Sequence, residues 1–504
     1  MSIRRRLRPR RRKRQEPSDT LEIHPSLKAN EIQLRKAVEH SHDVSFSKET
    51  FTTGVDSLQV MMMYCSGMVD RKQMNSEALP AIRYWVNTYL SEKREATWTY
   101  MQVQTIYNLD QVVERVLEGQ LVLLLEGFEK AYALDVSSPP HRQPEESQME
   151  TSVRGARDGF TEELEENVAL VRKRLKNPSF CFEQFTLGTR SQTRVGLLYI
   201  RDIIHSPVLE EVKQKLNQIE VEAINSSAQL EQLISNTRYP LFPEFDFTGR
   251  PDFVMASLLR GRFCILVDGN PAALIAPVQL TEVLKSVEDL HIDSFFPTFE
   301  YLLRLLGLFL ALFAPGLTVA IASFHTDQIP FPLLVTLVLS RAGVPFPPPM
   351  EALVMLVLFE LFREAGLRMP SPIGQTLSVV GGLIIGDAAI RSGLTSPSMV
   401  VVIAVSAVAT STLVNQTLHG AVTLLRFAVL LLSSIFGLLG FFVALFMIIL
   451  YLAQLRSFGI PYLAPLSPYS SGDTYRMLLS WKTLRRRPQL LKPQDDTRRP
   501  KERP

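Results

Sequence analysis

The sequence predicts an α/β cytoplasmic region of two related subdomains, followed by an α-helical polytopic membrane domain. Three observations predict it: charge is segregated along the chain, the first half carries an internal repeat, and a series of apolar segments runs from Ser294 to about Pro461. The overall composition, 46% hydrophobic and 21% charged, is that of a soluble protein. It averages two unlike parts, because charge concentrates before residue 293 and after Arg476. The expected divisions are a basic disordered tail at 1–28, a first α/β subdomain at 29–137, a linker at 138–157, a second α/β subdomain at 158–293, a helical membrane domain at 294–465 and a basic cytoplasmic tail at 466–504.

The opening run RRRLRPRRRKR is not followed by an apolar segment, so it is no secretory signal. Together with the basic tail (Arg485, Arg486, Arg487, Lys492, Arg498) it places both ends in the cytoplasm by the positive-inside tendency, and an even number of crossings follows. The basic ends suit a solubilising role or contact with anionic lipid headgroups, where each cation gains about 1 kcal/mol. Nucleic acid is a poor partner, since the net charge is only +3 and no aromatics are interleaved with the arginines.

The repeat emerges when two stretches are laid side by side. Val60–Tyr64, Asp110, Gly119, Gly127 and Ala131 in the first correspond to Val195–Tyr199, Asp252, Gly261, Gly269 and Ala273 in the second, with matched intervals from the acidic residue onward. Each copy reads as a buried strand, one or two amphipathic helices (around 77 to 95 and 207 to 235), a short helix and a hairpin turning at Glu126-Gly127 or Asp268-Gly269. Between the copies, SSPPHRQPEES has linker composition, and the charged helix after it is expected to be capped at Thr161.

No catalytic or cofactor motif appears in this half. Phosphate-binding loops, nucleophile elbows and zinc-protease helices are absent, and Gly127 and Gly269 stand alone as hairpin glycines. His40 and His42 have no ligand at metal-site spacing and read as a surface pair. The three cysteines, Cys65, Cys181 and Cys264, read as small buried apolar residues. An enzyme, a cofactor or a metal is therefore not expected.

The apolar half opens with an uncharged stretch between Arg304 and Asp327, long enough to cross a hydrocarbon core of about 30 Å, with a kink expected at Pro315-Gly316. Ile329 to Ser340 is too short to span and reads as a re-entrant or interfacial hairpin. Glu351, Glu360, Arg363, Glu364 and Arg368 then interrupt an apolar helix, either facing headgroups or serving a pathway. From Pro372 to Ile390, Gly374, Ser378, Gly382 and Gly386 recur at helical spacing beside Gln375 and Asp387, a stripe that suits close helix packing or the lining of a narrow pore. Two more spans are expected, Ser396 to Leu418 and Phe427 to Ala453, for four crossings in all.

The stretches RGARDGFTEELEENVALVRKRL, GRPDFVMASLLRGRFCILVDGNPAALIAPV, SRAGVPFPPPMEALVMLVLFELFREAGLRMPSPIGQTLSVVGGLIIGDAAI and RSFGIPYLAPLSP resemble the A subunit of bacterial spore germinant receptors, the GerA-type family. The resemblance covers about Thr151 to Pro468; at Leu413 to His419, where the family pattern has a proline, this chain has Val414-Asn415-Gln416. It implies a multi-pass protein of the spore inner membrane that works with a transporter-like B subunit and a lipoprotein C subunit. It further implies self-association as a ring into a nutrient-gated ion channel, the nutrient binding the B subunit. Carried over by position, the pore-lining candidates are Gly374, Ser378, Val379, Gly382, Ile385 and Gly386. A non-conducting scaffold that assembles receptor subunits is the alternative; a secondary transporter finds no inverted repeat to support it.

Overall fold

The computed structural model describes residues 21–53, 56–94, 98, 103–140, 158–236, 240–290, 296–368, 386–467 and 469, with the side chains of 287, 290, 367, 368 and 416 excepted. The front half holds two copies of one architecture. The first comprises α1 (Leu27–Ala37), β1 (Val44–Thr53), β2 (Asp56–Cys65), α2 (Leu79–Glu92), β3 (Val103–Ile106), α3 (Leu109–Leu117), β4 (Gln120–Leu125) and β5 (Ala131–Asp135). The second comprises α4 (Leu164–Arg174), β6 (Phe180–Leu187), β7 (Thr193–Ile200), α5 (Ser206–Asn217), α6 (Ser227–Ile234), β8 (Asp246–Thr248), α7 (Pro251–Leu258), β9 (Phe263–Val267) and β10 (Ala273–Ala276).

Each copy forms a five-stranded antiparallel sheet of matching order, β1-β2-β4-β5-β3 and β6-β7-β9-β10-β8. The register repeats too. Val60 faces Leu125 and Met63 faces Val122 in one sheet, while Val195 faces Val267 and Leu198 faces Cys264 in the other. Each sheet buries apolar side chains on both faces, with Met61 and Met63 on one side of β2 and Val60 and Met62 on the other.

Each copy starts with a helix and an edge strand ahead of the strand found by spacing, and the hairpin turn explains why. The N-terminus of α1 is capped from a distance: the Leu27 amide donates to the Glu126 carboxylate at 2.7 Å. The Leu164 amide of α4 donates likewise to Asp268 at 3.1 Å. Gly127 and Gly269, at φ 86° and 81°, donate backbone N–H groups to Pro25 and Glu162, each at 2.8 Å. Asn30 and Asn167 complete the match by bonding both backbone groups of His24 and Thr161. The expected Thr161 cap is therefore corrected: α4 begins at Leu164, and its orphan amide is met by Asp268.

The copies are joined through a buried bidentate pair, in which Arg172 donates to Asp43 at 2.9 and 2.7 Å and to the Phe180 carbonyl at 3.2 Å. Beside it, His42 and Phe182 exchange backbone bonds with residues of the other copy, extending the β6 edge. His40 and His42 are not a simple surface pair, because His40 Nδ1 lies 3.0 Å from Glu183 and His42 Nδ1 accepts from the Gln184 amide at 3.0 Å. The three cysteines are buried and unpaired.

The helical half contains α8 (Phe296–Phe324), α9 (Phe331–Ser340), α10 (Pro348–Arg368), α11 (Pro397–Ser411), α12 (Gln416–Phe436) and α13 (Leu438–Gln454). Its last two expected spans are three helices. Asn415 ends the first by capping α12 through a bond from the Thr417 amide at 2.9 Å, and Gly437, at φ 61°, breaks the second between α12 and α13. In place of the expected re-entrant or interfacial hairpin, α9 is a single ten-residue helix that begins just after Pro330.

α8 is helical on both sides of Pro315. Proline leaves the carbonyl four residues earlier without its donor. That carbonyl, Ala311 O, accepts from the Ser406 hydroxyl of α11 at 3.0 Å. Among the described residues Gly316 marks a close approach: a Cβ there would lie 2.7 Å from the Val429 side chain of α12, so glycine lets the two helices pack tightly.

After α13 the chain returns to the second sheet through β11 (Arg456–Ser457) and β12 (Ile460–Pro461). Between them Phe458 is buried in the sheet core, its ring edge-on to Phe263 at 4.9 Å and Phe245 at 5.5 Å. Ser457 clamps the contact by donating to Glu244 O at 3.0 Å and accepting from the Val278 amide at 3.1 Å.

Candidate ionic site in the helical half

α10 carries two inward carboxylates. Glu351, fully buried in its first turn, is held by Arg341 at 3.1 Å and by the Ser396 amide and hydroxyl, each at 2.9 Å. This triangle ties the end of α9 to the starts of α10 and α11. The Ser396 hydroxyl in turn caps α11 through the Met399 amide.

Glu360 sits nine residues on and is bonded on both oxygens. One oxygen accepts from Arg426 of α12 and from the Thr423 hydroxyl at 3.0 Å, and the other accepts from Arg363 at 2.7 Å. Arg426, 3% exposed, also donates to Ser406 at 3.1 Å and Thr410 at 3.3 Å on α11. A continuous series of bonds thus runs from the proline break in α8 through Ser406 and Arg426 to Glu360 on α10. In an apolar medium such a pair holds well only while both members stay bonded, since removing one leaves a buried uncompensated charge. The network acts as a latch among four helices.

The other expected charges behave differently. Glu364 is exposed, and Asp387 pairs with Arg391 at 2.7 Å on an exposed turn. The Arg368 side chain and the candidates Gly374, Ser378, Val379, Gly382 and Ile385 lie outside the described residues. Gly386 is buried, and a Cβ there would meet Val400 of α11 at an ordinary 3.7 Å. Sequence reading passed over Arg426, Ser406, Thr410 and Arg341. Arg426 carried a signal of its own, as a lone cation inside the apolar run LLRFAV.

Beneath the helices lies a second polar layer. Asn415, at the α11–α12 break, donates to Asp246 of β8 at 2.8 Å. Burial pushes the Asp246 carboxyl up to about 6, against the opposing charge of Arg262. Burial would also raise Glu282, but Lys285, Arg260 and Arg262 overcome it and hold that carboxyl well below the usual range. Arg304, in the third turn of α8, closes the layer with two bonds to Asp289 at 2.6 and 3.1 Å. Among the described residues no group of histidine, cysteine and carboxylate side chains could hold a metal ion.

Residues 32–490 match the family described as Bacillus/Clostridium GerA spore germination protein. The chain belongs to this family. Among GerA-type relatives, it is 40% identical over 483 residues to spore germination protein XA of Bacillus anthracis, covering 94% of this chain and 98% of that one. It is 33% identical over 471 residues to the uncharacterized membrane protein YfkQ of Bacillus subtilis (strain 168), covering 92% and 91%. The crystal structure of the N-terminal domain of the A subunit of the Bacillus megaterium spore germinant receptor GerK3 aligns with 52% of this chain and 98% of its own, at 25% identity and a TM-score of 0.37. Membership in the GerA family makes this chain a spore germination protein.

Proposed function

We propose that the chain is the membrane subunit of a nutrient receptor, self-associating as a ring into a nutrient-gated channel whose opening releases cations and starts germination. In this reading it sits in the spore inner membrane with both ends cytoplasmic, beside a transporter-like B subunit and a lipoprotein C subunit. Two described helices, Phe296–Phe324 and Thr417–Phe436, are long and apolar enough to cross a membrane, and the relative YfkQ is described as a membrane protein. The observation that carries the channel reading is the Glu360–Arg426 latch. It fixes the helix leading directly into the small-residue segment that contains Gly374, Ser378, Val379 and Gly382. In this reading releasing the latch frees α10, and the small side chains of the sequence that follows suit the passage of hydrated ions between valine and isoleucine constrictions.

A scaffold without conduction is the second reading. It is favoured by the pairing of Glu360, whose negative charge is already matched by Arg426 and Arg363 and so attracts a passing cation weakly. Cation release from spores carrying Val379→Phe or Gly382→Leu separates the two. A channel loses or leaks ions while the receptor still assembles; a scaffold loses assembly and shows no change in flow per assembled receptor.

A further inference from the structure

An open cavity of about 490 Å³ lies where α13 hands the chain back to the second sheet. Its lining comes from the last turn of α13 and the hairpin after it (Tyr451, Gln454, Leu455, Arg456, Gly459) and from the facing sheet domain (Glu211, Asn236). Its size falls within the range of small-ligand sites, about 300–1,000 Å³.

The charges around it are unevenly placed. Glu211 is paired with Lys215 at 3.3 Å, Lys215 also donates to Asn236, and the Asn236 amide donates to the buried Glu244 at 2.8 Å. Arg456 is exposed and has no ion pair among the described residues, so its guanidinium is open to an anion. Beside it Gly459, at φ 73°, leaves open space where a side chain would stand.

The approach to the cavity is apolar. Met447 and Leu450 are 63% and 54% exposed on α13, and at helical spacing their face continues into Tyr451 and Gln454, which line the cavity. An exposed aliphatic stripe running into a tyrosine and then an arginine is the order of side chains that a bilayer presents from tail to headgroup.

We propose that this cavity binds a phospholipid, with its phosphodiester on Arg456 and its acyl chains along Met447 and Leu450. The unpaired Arg456 favours an anionic headgroup. The site rests on the membrane reading of the helical half. Its occupant would brace α13 against the sheet domain at the point where Phe458 is inserted.

The test uses the full chain purified in detergent, with dioctanoyl phosphatidylglycerol, dioctanoyl phosphatidylcholine and inorganic phosphate as probes, read by thermal shift and by lipid retention in native mass spectrometry. Phosphatidylglycerol should bind most tightly, and Arg456→Gln should weaken it about five- to tenfold, as loss of one phosphate contact implies, while Arg456→Lys keeps most of the affinity. Equal retention by wild type and Arg456→Gln would overturn the site, and equal protection by inorganic phosphate would assign it to a free anion instead of a lipid. Flotation of both proteins with phosphatidylglycerol–phosphatidylethanolamine vesicles reads the membrane placement separately. Failure of both to float would overturn that placement and the lipid with it.

Discussion

The side-chain amide of Asn415 donates to the carboxylate of Asp246 at 2.8 Å, joining the break between two apolar helices to the edge strand of the second sheet. Asn415 performs two tasks at once, since its carbonyl oxygen caps α12. A proline at this position could supply neither bond. The junction between the halves is thus polar at Asn415 and aromatic at Phe458.

Asp246 makes this junction sensitive to pH. Its folded value of about 6 lies above the ordinary 3.8, so the folded chain holds the proton more tightly than the unfolded one. Stability from this group is therefore full below the ordinary value, falls as pH rises through the window up to about 6, and is flat above it. The shift corresponds to about 3 kcal/mol. Asp246→Asn keeps an oxygen for Asn415 to bond, and it should flatten the dependence and raise the melting temperature at pH 7.5. Melting curves at pH 5 and 7.5 check this, and an unchanged slope in the variant refutes the assignment.

Ser406 and Pro315 should be energetically coupled. Ser406→Ala orphans the Ala311 carbonyl and removes an acceptor from Arg426, at a cost of about 1–3 kcal/mol. Pro315→Ala supplies the missing N–H, so the same serine change should cost less in that background. A double-mutant cycle on thermal stability measures the coupling. Strict additivity would show that Ser406 does not serve the proline break.

Much of the front half was legible because its signals are local or evenly spaced. The hairpin turns at Gly127 and Gly269 and the matched strands Val60–Tyr64 and Val195–Tyr199 stand where their spacing puts them. α1 and its edge strand were missed because α1 takes its cap from Glu126, far along the chain. The break at Gly437 was hidden for a different reason: hydropathy cannot see a backbone torsion inside an apolar run. Glu360 announced itself as a charge among apolar residues, while its bond to Arg426 depends on how α10 and α12 pack.

Phe458 should decide whether the two halves move as one body. Phe458→Ala removes two edge-to-face contacts and the ring beneath Lys215, at a cost of about 3–5 kcal/mol. The loss should concentrate at the junction, raising hydrogen exchange in β8 and the 456–462 hairpin well before the first sheet responds. A uniform rise across both sheets would instead mean that the hairpin merely shares in global stability.

The Glu360–Arg426 latch makes the sharpest prediction, because its two single changes and their combination differ in size. Glu360→Gln leaves Arg426 charged and buried with only neutral acceptors around it, and Arg426→Gln leaves Glu360 with Arg363 and Thr423. Glu360→Gln should destabilise by about 3–5 kcal/mol, since Arg426 stays charged and buried without its mate, and Arg426→Gln should cost less, since Glu360 keeps its pair with Arg363. The double change removes both charges and leaves two amides able to bond each other, so it should recover most of that loss. If the latch restrains the following segment, the double variant should fold and assemble like wild type yet release ions without nutrient. A well-assembled double variant that still waits for its nutrient would separate the pair's packing role from gating and leave the restraint to Glu351 and Arg341.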